Sequence, residues 1–202
     1  MNAVVALDDL IRERRVWRGQ PARLPPSTQP TGWSDLDSAL PTRGWPEASL
    51  TEILLPADGI GELQLVLPTL ARLTRNGEHV VVVSPPYLPY APAWQMAGVA
   101  LTYLAIVDAL HAEVAWAIEQ ALRSGSCAAV LGWLPQSNDR TLRRLQVAAT
   151  TGQALGFVFR DRSMLGNASP AALRIEVEPT RLRIHKCRGG NPPAPIAFAH
   201  RA

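Results

Sequence analysis

The sequence predicts an α/β domain with a mainly parallel sheet flanked by helices. Short, fully apolar runs at 79–83 and 127–134 suit strands buried on both faces. Such runs alternate with stretches of helical periodicity through residue 159, the pattern of right-handed βαβ units. The stretch 51–65, TEILLPADGIGELQL, has the outline of a strand, a glycine-bearing loop and a helix start, the setting of a phosphate-binding loop.

Composition bounds the class. The chain has 202 residues, 47% hydrophobic and 18% charged, enough for one globular α/β domain. No apolar run reaches the length of a membrane span, and acidic residues enter too early for a signal peptide. A cytoplasmic location with no membrane contact is therefore expected. Cys127 and Cys187 lack metal-ligand spacing, so free thiols and no zinc are expected. Charge is uneven. Residues 1–134 hold 9 Arg against 13 acidic residues, net −4, whereas residues 135–202 hold 11 Lys/Arg against 4 acidic residues, net +7.

Residues 1–18 read as an amphipathic helix, with Val4, Leu7, Leu10 and Ile11 as its apolar stripe and Trp17 at its edge. Residues 19–30 contain four prolines and read as an extended linker. A tethered helix of this kind docks on another protein or packs back onto its domain, and Leu7, Leu10, Ile11 and Trp17 are the expected docking contacts.

The domain proper spans 31–188. A short capped helix at 31–40 turns Leu36 and Leu40 inward, and a strand follows at 51–55. The next helix starts at Glu62, presents Leu63, Val66, Leu67 and Leu70 on one face, should kink or split at Pro68, and ends at Asn76-Gly77. A strand at 79–83 leads into a proline-rich loop, 84–92, carrying Tyr87 and Tyr90. A short helix at 93–97, a strand at 101–107, a helix at 109–123 and a strand at 127–134 come next. Asn138 caps a helix running to 151, and a strand follows at 154–159. Segments 172–177 and 181–187 form a C-terminal antiparallel hairpin, and the Pro/Gly-rich residues 189–202 read as a mobile tail. Trp33, Trp45, Trp94, Trp116 and Trp133 are expected in packing.

The glycine loop lacks phosphate chemistry. A phosphate loop needs GxxxxGK[ST], with Lys neutralising phosphate and the hydroxyl reaching magnesium. Here Gly59 and Gly61 supply the turn, but Glu62 and Leu63 stand at the two chemical positions. Ser84-Pro85-Pro86 offers no carboxylate to orient a water, and Gly132-Trp133-Leu134-Pro135 offers no Asp for magnesium. The loop Gly59, Gly61, Glu62, Leu63 is a degenerate phosphate loop. No enzyme activity, catalytic residue, metal or cofactor is expected.

The basic C-terminal half has Arg181, Arg183, Lys186 and Arg188 along one strand and its end, with Arg140, Arg143 and Arg144 on the preceding helix. This surface is a candidate partner site. A protein's acidic patch is favoured over direct DNA contact, because few aromatics accompany the charge. A plain solvated Arg-rich face is the third reading.

The order of segments over residues 30–160 resembles the RecA-like recombinase core, through Thr31-Gly32, Leu36-Asp37, Leu40, Gly44-Trp45-Pro46 and Leu50-Thr51-Glu52-Ile53. Within it the chain resembles the ImuA family, through Gly59-Ile60-Gly61-Glu62-Leu63, Ser84-Pro85-Pro86-Tyr87, Gly132-Trp133-Leu134, Leu142-Arg143-Arg144-Leu145 and Ser169-Pro170-Ala171-Ala172-Leu173-Arg174. That resemblance implies a RecA-like P-loop NTPase core without ATPase activity. It also implies a non-catalytic adaptor role in SOS-induced error-prone translesion DNA synthesis, with an ImuB-like polymerase homologue, RecA and a DnaE-type polymerase as partners. A sister resemblance, to the SulA family, implies instead an inhibitor of cell division that binds FtsZ.

Overall fold

The computed structural model describes residues 24–198; the helix expected over 1–18 lies outside them. Eight strands form one sheet: β1 (Leu50–Leu55), β2 (Val80–Val83), β3 (Leu104–Val107), β4 (Ala129–Trp133), β5 (Leu155–Asp161), β6 (Leu173–Glu178), β7 (Arg181–Cys187) and β8 (Ile196–Ala197). Their order is β3-β2-β4-β5-β1-β6-β7-β8. The first six in that order run parallel, and β7 and β8 are antiparallel to their neighbours.

Among the described residues five α-helices accompany the sheet: α1 (Ser34–Ala39), α2 (Glu62–Arg75), α3 (Ala91–Met96), α4 (Val114–Arg123) and α5 (Asp139–Gly152). Alternation along each strand divides the core into two layers. Ile53, Phe157 and Ile175 pack with Leu65, Leu70 and Leu73 of α2. Leu50, Val130 and Val158 pack with Ile118 and Leu122 of α4 and Leu142 and Leu145 of α5. The first turn of α2 carries Glu62 and its last turn Arg72 and Arg75, matching the helix dipole. The Asn138 side chain accepts from the Thr141 amide at 2.9 Å and starts α5 where the sequence indicates. Gly152 ends α5 hard against α4: a Cβ there would lie 1.9 Å from the Leu122 carbonyl oxygen.

Several expectations are corrected. The RecA-like P-loop NTPase core with an appended C-terminal hairpin is replaced by one continuous mixed sheet of eight strands. The physical reason is that β6 is a full partner of β1, in register from Thr51 opposite Leu173 to Leu54 opposite Glu176. The segment after 188 is no free tail as far as residue 198. Ile196–Ala197 pair with β7, and Phe198 is buried edge-on against Trp33, ring centroids 4.8 Å apart. Two apolar residues among prolines leave no periodicity to read. Residues 24–30 are likewise no free linker: Ser27 donates its amide to the Thr42 carbonyl, and Trp45 donates to that of Gln29. Pro68 does not split α2, because residues on both sides of it, Leu65, Val66, Leu70 and Leu73, are buried in one layer. Helix α4 begins five residues later than expected, leaving Leu110 in an exposed turn. Among the described residues no helix is long and apolar enough to cross a membrane.

Charge is buried at the centre of the sheet. Glu52 of β1 receives Nε of Arg174 at 2.8 Å and Nη2 at 3.3 Å, and it is also paired with Nη1 of Arg160. All three residues are buried. The second guanidinium nitrogen of Arg160 donates to the Ser137 carbonyl, and Arg174 donates to the carbonyls of Leu165 and Met164, both at 3.1 Å. Removing one partner from such a cluster strands the others in low dielectric, at roughly 3–5 kcal/mol. Glu52→Leu is expected to lower unfolding free energy by about that amount, measured by urea denaturation. A loss under about 1 kcal/mol would mean the cluster is solvated rather than buried.

A second carboxylate clamps the N-terminal approach. Glu47 accepts from the Thr28 amide and from the hydroxyls of Thr28 and Ser27. These bonds, the Thr28 amide first, hold its carboxyl below the usual carboxylate range. A carboxylate lowered in the folded state stabilises above its unfolded pKa, about 4.3, and that contribution is lost as pH falls through the folded value. The protection of the Thr28 amide, measured by NMR exchange relative to its intrinsic rate at each pH, is expected to fall on acidification below about pH 4, and Glu47→Gln is expected to remove most of that fall.

Candidate functional site

The loops that follow β1 to β5, His111 among their residues, line a cleft of about 620 Å³ at the carboxyl ends of the parallel strands, the usual ligand position in such sheets. Its walls include Leu55, Pro86, Trp133 and Phe159, and its polar lining includes Asp58, Ser137, Arg160 and Asp161. Trp133 and Phe159 stack at 4.4 Å with planes 18° apart.

The loop after β1 lines one side through Ala57 and Asp58, and the degenerate glycines follow directly. Gly59 and Gly61 both have positive φ, 79° and 99°, which favours glycine there. The buried Glu62 turns back on this loop, and its Oε1 accepts from the Gly59 amide at 2.9 Å. A side-chain carboxylate thus sits at the helix N-terminus in the role a bound anion fills in a phosphate loop. Leu63 packs against the α2 core layer. At the sequence position that would carry a magnesium-binding Asp, a Cβ on Gly132 would lie 2.1 Å from Cδ1 of Ile118 on α4, so any side chain there requires Ile118 to move.

Opposite this loop, Ser84 closes β2 with φ 45°, a left-handed backbone for a residue with a Cβ. Its amide donates to the Val107 carbonyl at 2.8 Å, and its hydroxyl accepts from the Ala109 amide at 3.0 Å. Ser84 therefore pins the loop after β2 to the loop after β3. Those two loops carry Tyr87, Leu88 and Leu110, all more than 70% exposed. Asp161 closes the cleft at the end of β5; hydrogen bonding by Ser163, side chain and then amide, holds its carboxyl below the usual range.

The basic residues singled out from sequence lie elsewhere and are mostly paired. Arg181 and Arg183 of β7 bind Glu178, and Glu176 lies between Arg162 and His185 at 2.7 and 2.8 Å. Lys186 donates to the Ser169 carbonyl at 2.8 Å, and Arg188 to the Ser49 hydroxyl at 3.2 Å. Burial, and next Arg174, lowers the pKa of the Lys186 ammonium. Arg143 pairs with Asp139, and Arg144 with Glu119. Leu7, Leu10, Ile11 and Trp17 lie outside the described residues. Gly59, Gly61, Glu62 and Leu63 are the sequence-selected residues that reach this end of the sheet. Arg160, Ser137 and the apolar rim carried no motif; the unusual loop SPPYLPYAP was the one local sign of the rim.

Residues 49–156, more than half the chain, match the family model described as Cell division inhibitor SulA. The chain belongs to the SulA family. A SulA from Photorhabdus laumondii is 42% identical over 69 residues, 34% of this chain and 37% of that protein. A SulA from Yersinia pestis is 29% identical over 115 residues, 55% of this chain and 68% of that protein. The chain thus spans little more than a third of the first relative's length. The crystal structure of SulA from Pseudomonas aeruginosa aligns with a TM-score of 0.48 and 24% identity, over 57% of this chain and 99% of that one.

This family match overturns the ImuA resemblance, and with it the RecA-like core, the role in translesion synthesis and the partners ImuB, RecA and DnaE-type polymerase. The matched region contains the whole glycine loop, whose carboxylate is structural in the fold. Glu62→Ala, which orphans the Gly59 amide, is expected to cost about 1 kcal/mol by chemical denaturation, while Glu62→Gln, which keeps an acceptor, costs less than half of that.

Proposed function

We propose that this chain is a cytoplasmic, non-enzymatic inhibitor of cell division that acts by binding FtsZ. The observation that carries this reading is the SulA family match over residues 49–156, a span that holds β1 to β4, the glycine loop and the exposed rim. Two features of the site support it. The anion position of the loop is filled by Glu62, which leaves the loop no role in phosphate transfer. The rim residues Tyr87, Leu88 and Leu110 expose apolar surface, and contiguous exposed apolar surface marks protein contacts.

The test is sedimentation of FtsZ assembled with GTP in the presence of the purified chain. Loss of pelletable polymer at near-equal molar amounts is the expected result. Unchanged polymer, with no binding of FtsZ by calorimetry, would sink the reading. The non-enzymatic part is tested separately. Glu62→Lys with Leu63→Thr is expected to give no ATP hydrolysis above background in a phosphate-release assay, since Gly132-Trp133 and Ser84-Pro85-Pro86 supply no metal-binding or water-orienting carboxylate.

A further inference from the structure

Strand β3 ends the sheet on one side, paired with β2 alone, in register from Val80 opposite Leu104 to Val83 opposite Val107. The N–H and C=O of one strand residue point to the same side, and successive residues alternate. The Val107 carbonyl accepts from the Ser84 amide at 2.8 Å, so Val107 and, two residues back, Ala105 face β2. The main chain of Ile106 therefore faces outward, where no further strand stands among the described residues. Its side chain shares the α2 side of the sheet with Leu104, and that of Val107 takes the other side. Ile106 is 44% exposed and Val107 39%, so neither helix layer covers this edge. Natural edge strands are blocked by Lys, Pro, charge or a bulge, or are very short. The opposite edge, β8, has two residues. β3 reads Leu-Ala-Ile-Val, without a charge, a proline or a bulge. Such an edge is a template for strand addition.

Charge selects the occupant. Residues 76–122, which build β2, α3, β3 and most of α4, contain no Lys or Arg, although the chain holds 20. Asp108 and Glu113 are exposed just past β3, with no ion pair among the described residues. His111 is the titratable side chain between them. Glu119, further along, is already paired with Arg123 and Arg144. Arg75, at the C-terminal end of α2, lies against Gly98, before β3 begins. An acidic segment is repelled at the carboxyl end of this edge, and a second copy pairing through 76–122 brings no Lys or Arg to it. An apolar segment carrying Lys or Arg matches both the strand and its acidic end. Tyr87, Leu88 and Leu110, in the loops that Ser84 pins together, extend the apolar surface beyond the strand.

We propose that the free edge of β3 takes an extended, apolar segment of a partner protein as an added strand, with a basic residue of that segment beside Asp108 and Glu113. Its main chain pairs with Ile106, and its alternate side chains cover Ile106 on one face and Val107 on the other. The choice of partner rests on the FtsZ reading, in which the segment belongs to FtsZ.

The test uses the full chain labelled with ¹⁵N. The peptides acetyl-KVTVTVR-amide and acetyl-EVTVTVE-amide are titrated in turn. The basic peptide is expected to shift the Ile106 and Asp108 amides saturably and to slow exchange at Ile106, while Ile196 and Ala197 of the opposite edge stay still. The acidic peptide is expected to bind at least about threefold more weakly, and Asp108→Lys to reverse that order. Ile106→Pro removes the outward N–H and spares the ladder to β2, and Ile106→Lys sets a charge on the edge. Each is expected to weaken the basic peptide about tenfold, with the core resonances unchanged. No saturable shift at Ile106, or equal binding of the two peptides, overturns the proposal. So does a wild-type dimer in sedimentation velocity that Ile106→Lys disperses, since a second copy then occupies the edge. A second arm measures FtsZ affinity for the wild type and for Ile106→Lys, expected about tenfold weaker. Equal affinity overturns the edge assignment and leaves the FtsZ reading standing. A wild type that takes the basic peptide at Ile106 but does not bind FtsZ upholds the edge and overturns the choice of partner.

Discussion

The structure depends on one buried carboxylate. Glu52 joins three adjacent strands through Arg160 of β5 and Arg174 of β6. A carboxylate or guanidinium left alone in that interior would cost several kcal/mol, so each partner constrains where the others go. The order β5-β1-β6 satisfies all three at once. The cluster also reaches outward. Arg160 holds the Ser137 carbonyl and so fixes the loop that floors the cleft, and Arg174 holds the carbonyls of Met164 and Leu165 in the turn after β5.

Around that cluster the fold keeps the shape of a ligand-binding α/β sheet while its own side chains occupy the positions of phosphate chemistry. Glu62 supplies the anion at the start of α2, and Ile118 fills the space beside Gly132. These internal contacts stabilise the sheet end without a ligand. What they leave is a largely apolar cleft beside a rim of exposed aromatic and aliphatic side chains. Such a surface suits recognition of another chain better than binding of a small anion.

Two features of the sequence were expected to bind partners, an N-terminal helix with its linker and a basic C-terminal surface. Tertiary contacts bear on the linker and on the basic strand. The described part of the linker, from Leu24 to Pro30, lies on the domain through Ser27, Thr28 and Gln29. The basic strand faces Glu176 and Glu178 across the β6–β7 pair, so part of its charge is paired within the protein. Net charge along a chain counts residues without their partners, and a β-hairpin can bring acid opposite base with no sign of it in local composition.

Sequence alone determined the periodic elements. The valine run of β2, the apolar strand β4, the Asn138 cap and the 181–187 strand follow from local rules of alternation, burial and capping that act over a few residues. It also determined that the glycine loop lacks phosphate chemistry, because that chemistry needs particular residues at fixed spacing. Tertiary structure decided what depends on distant partners. Pro68 is tolerated because both halves of α2 are buried in one layer. Phe198 is held because Trp33 and β7 are there to receive it, and Trp116, expected in packing, is exposed because α4 turns its other side to the sheet. The cleft walls come together from residues as far apart as 55 and 161, and the Glu52 cluster spans 122 residues of chain. No local pattern encodes such pairs, since the free energy of a buried charge or an orphan donor depends on what the fold places beside it.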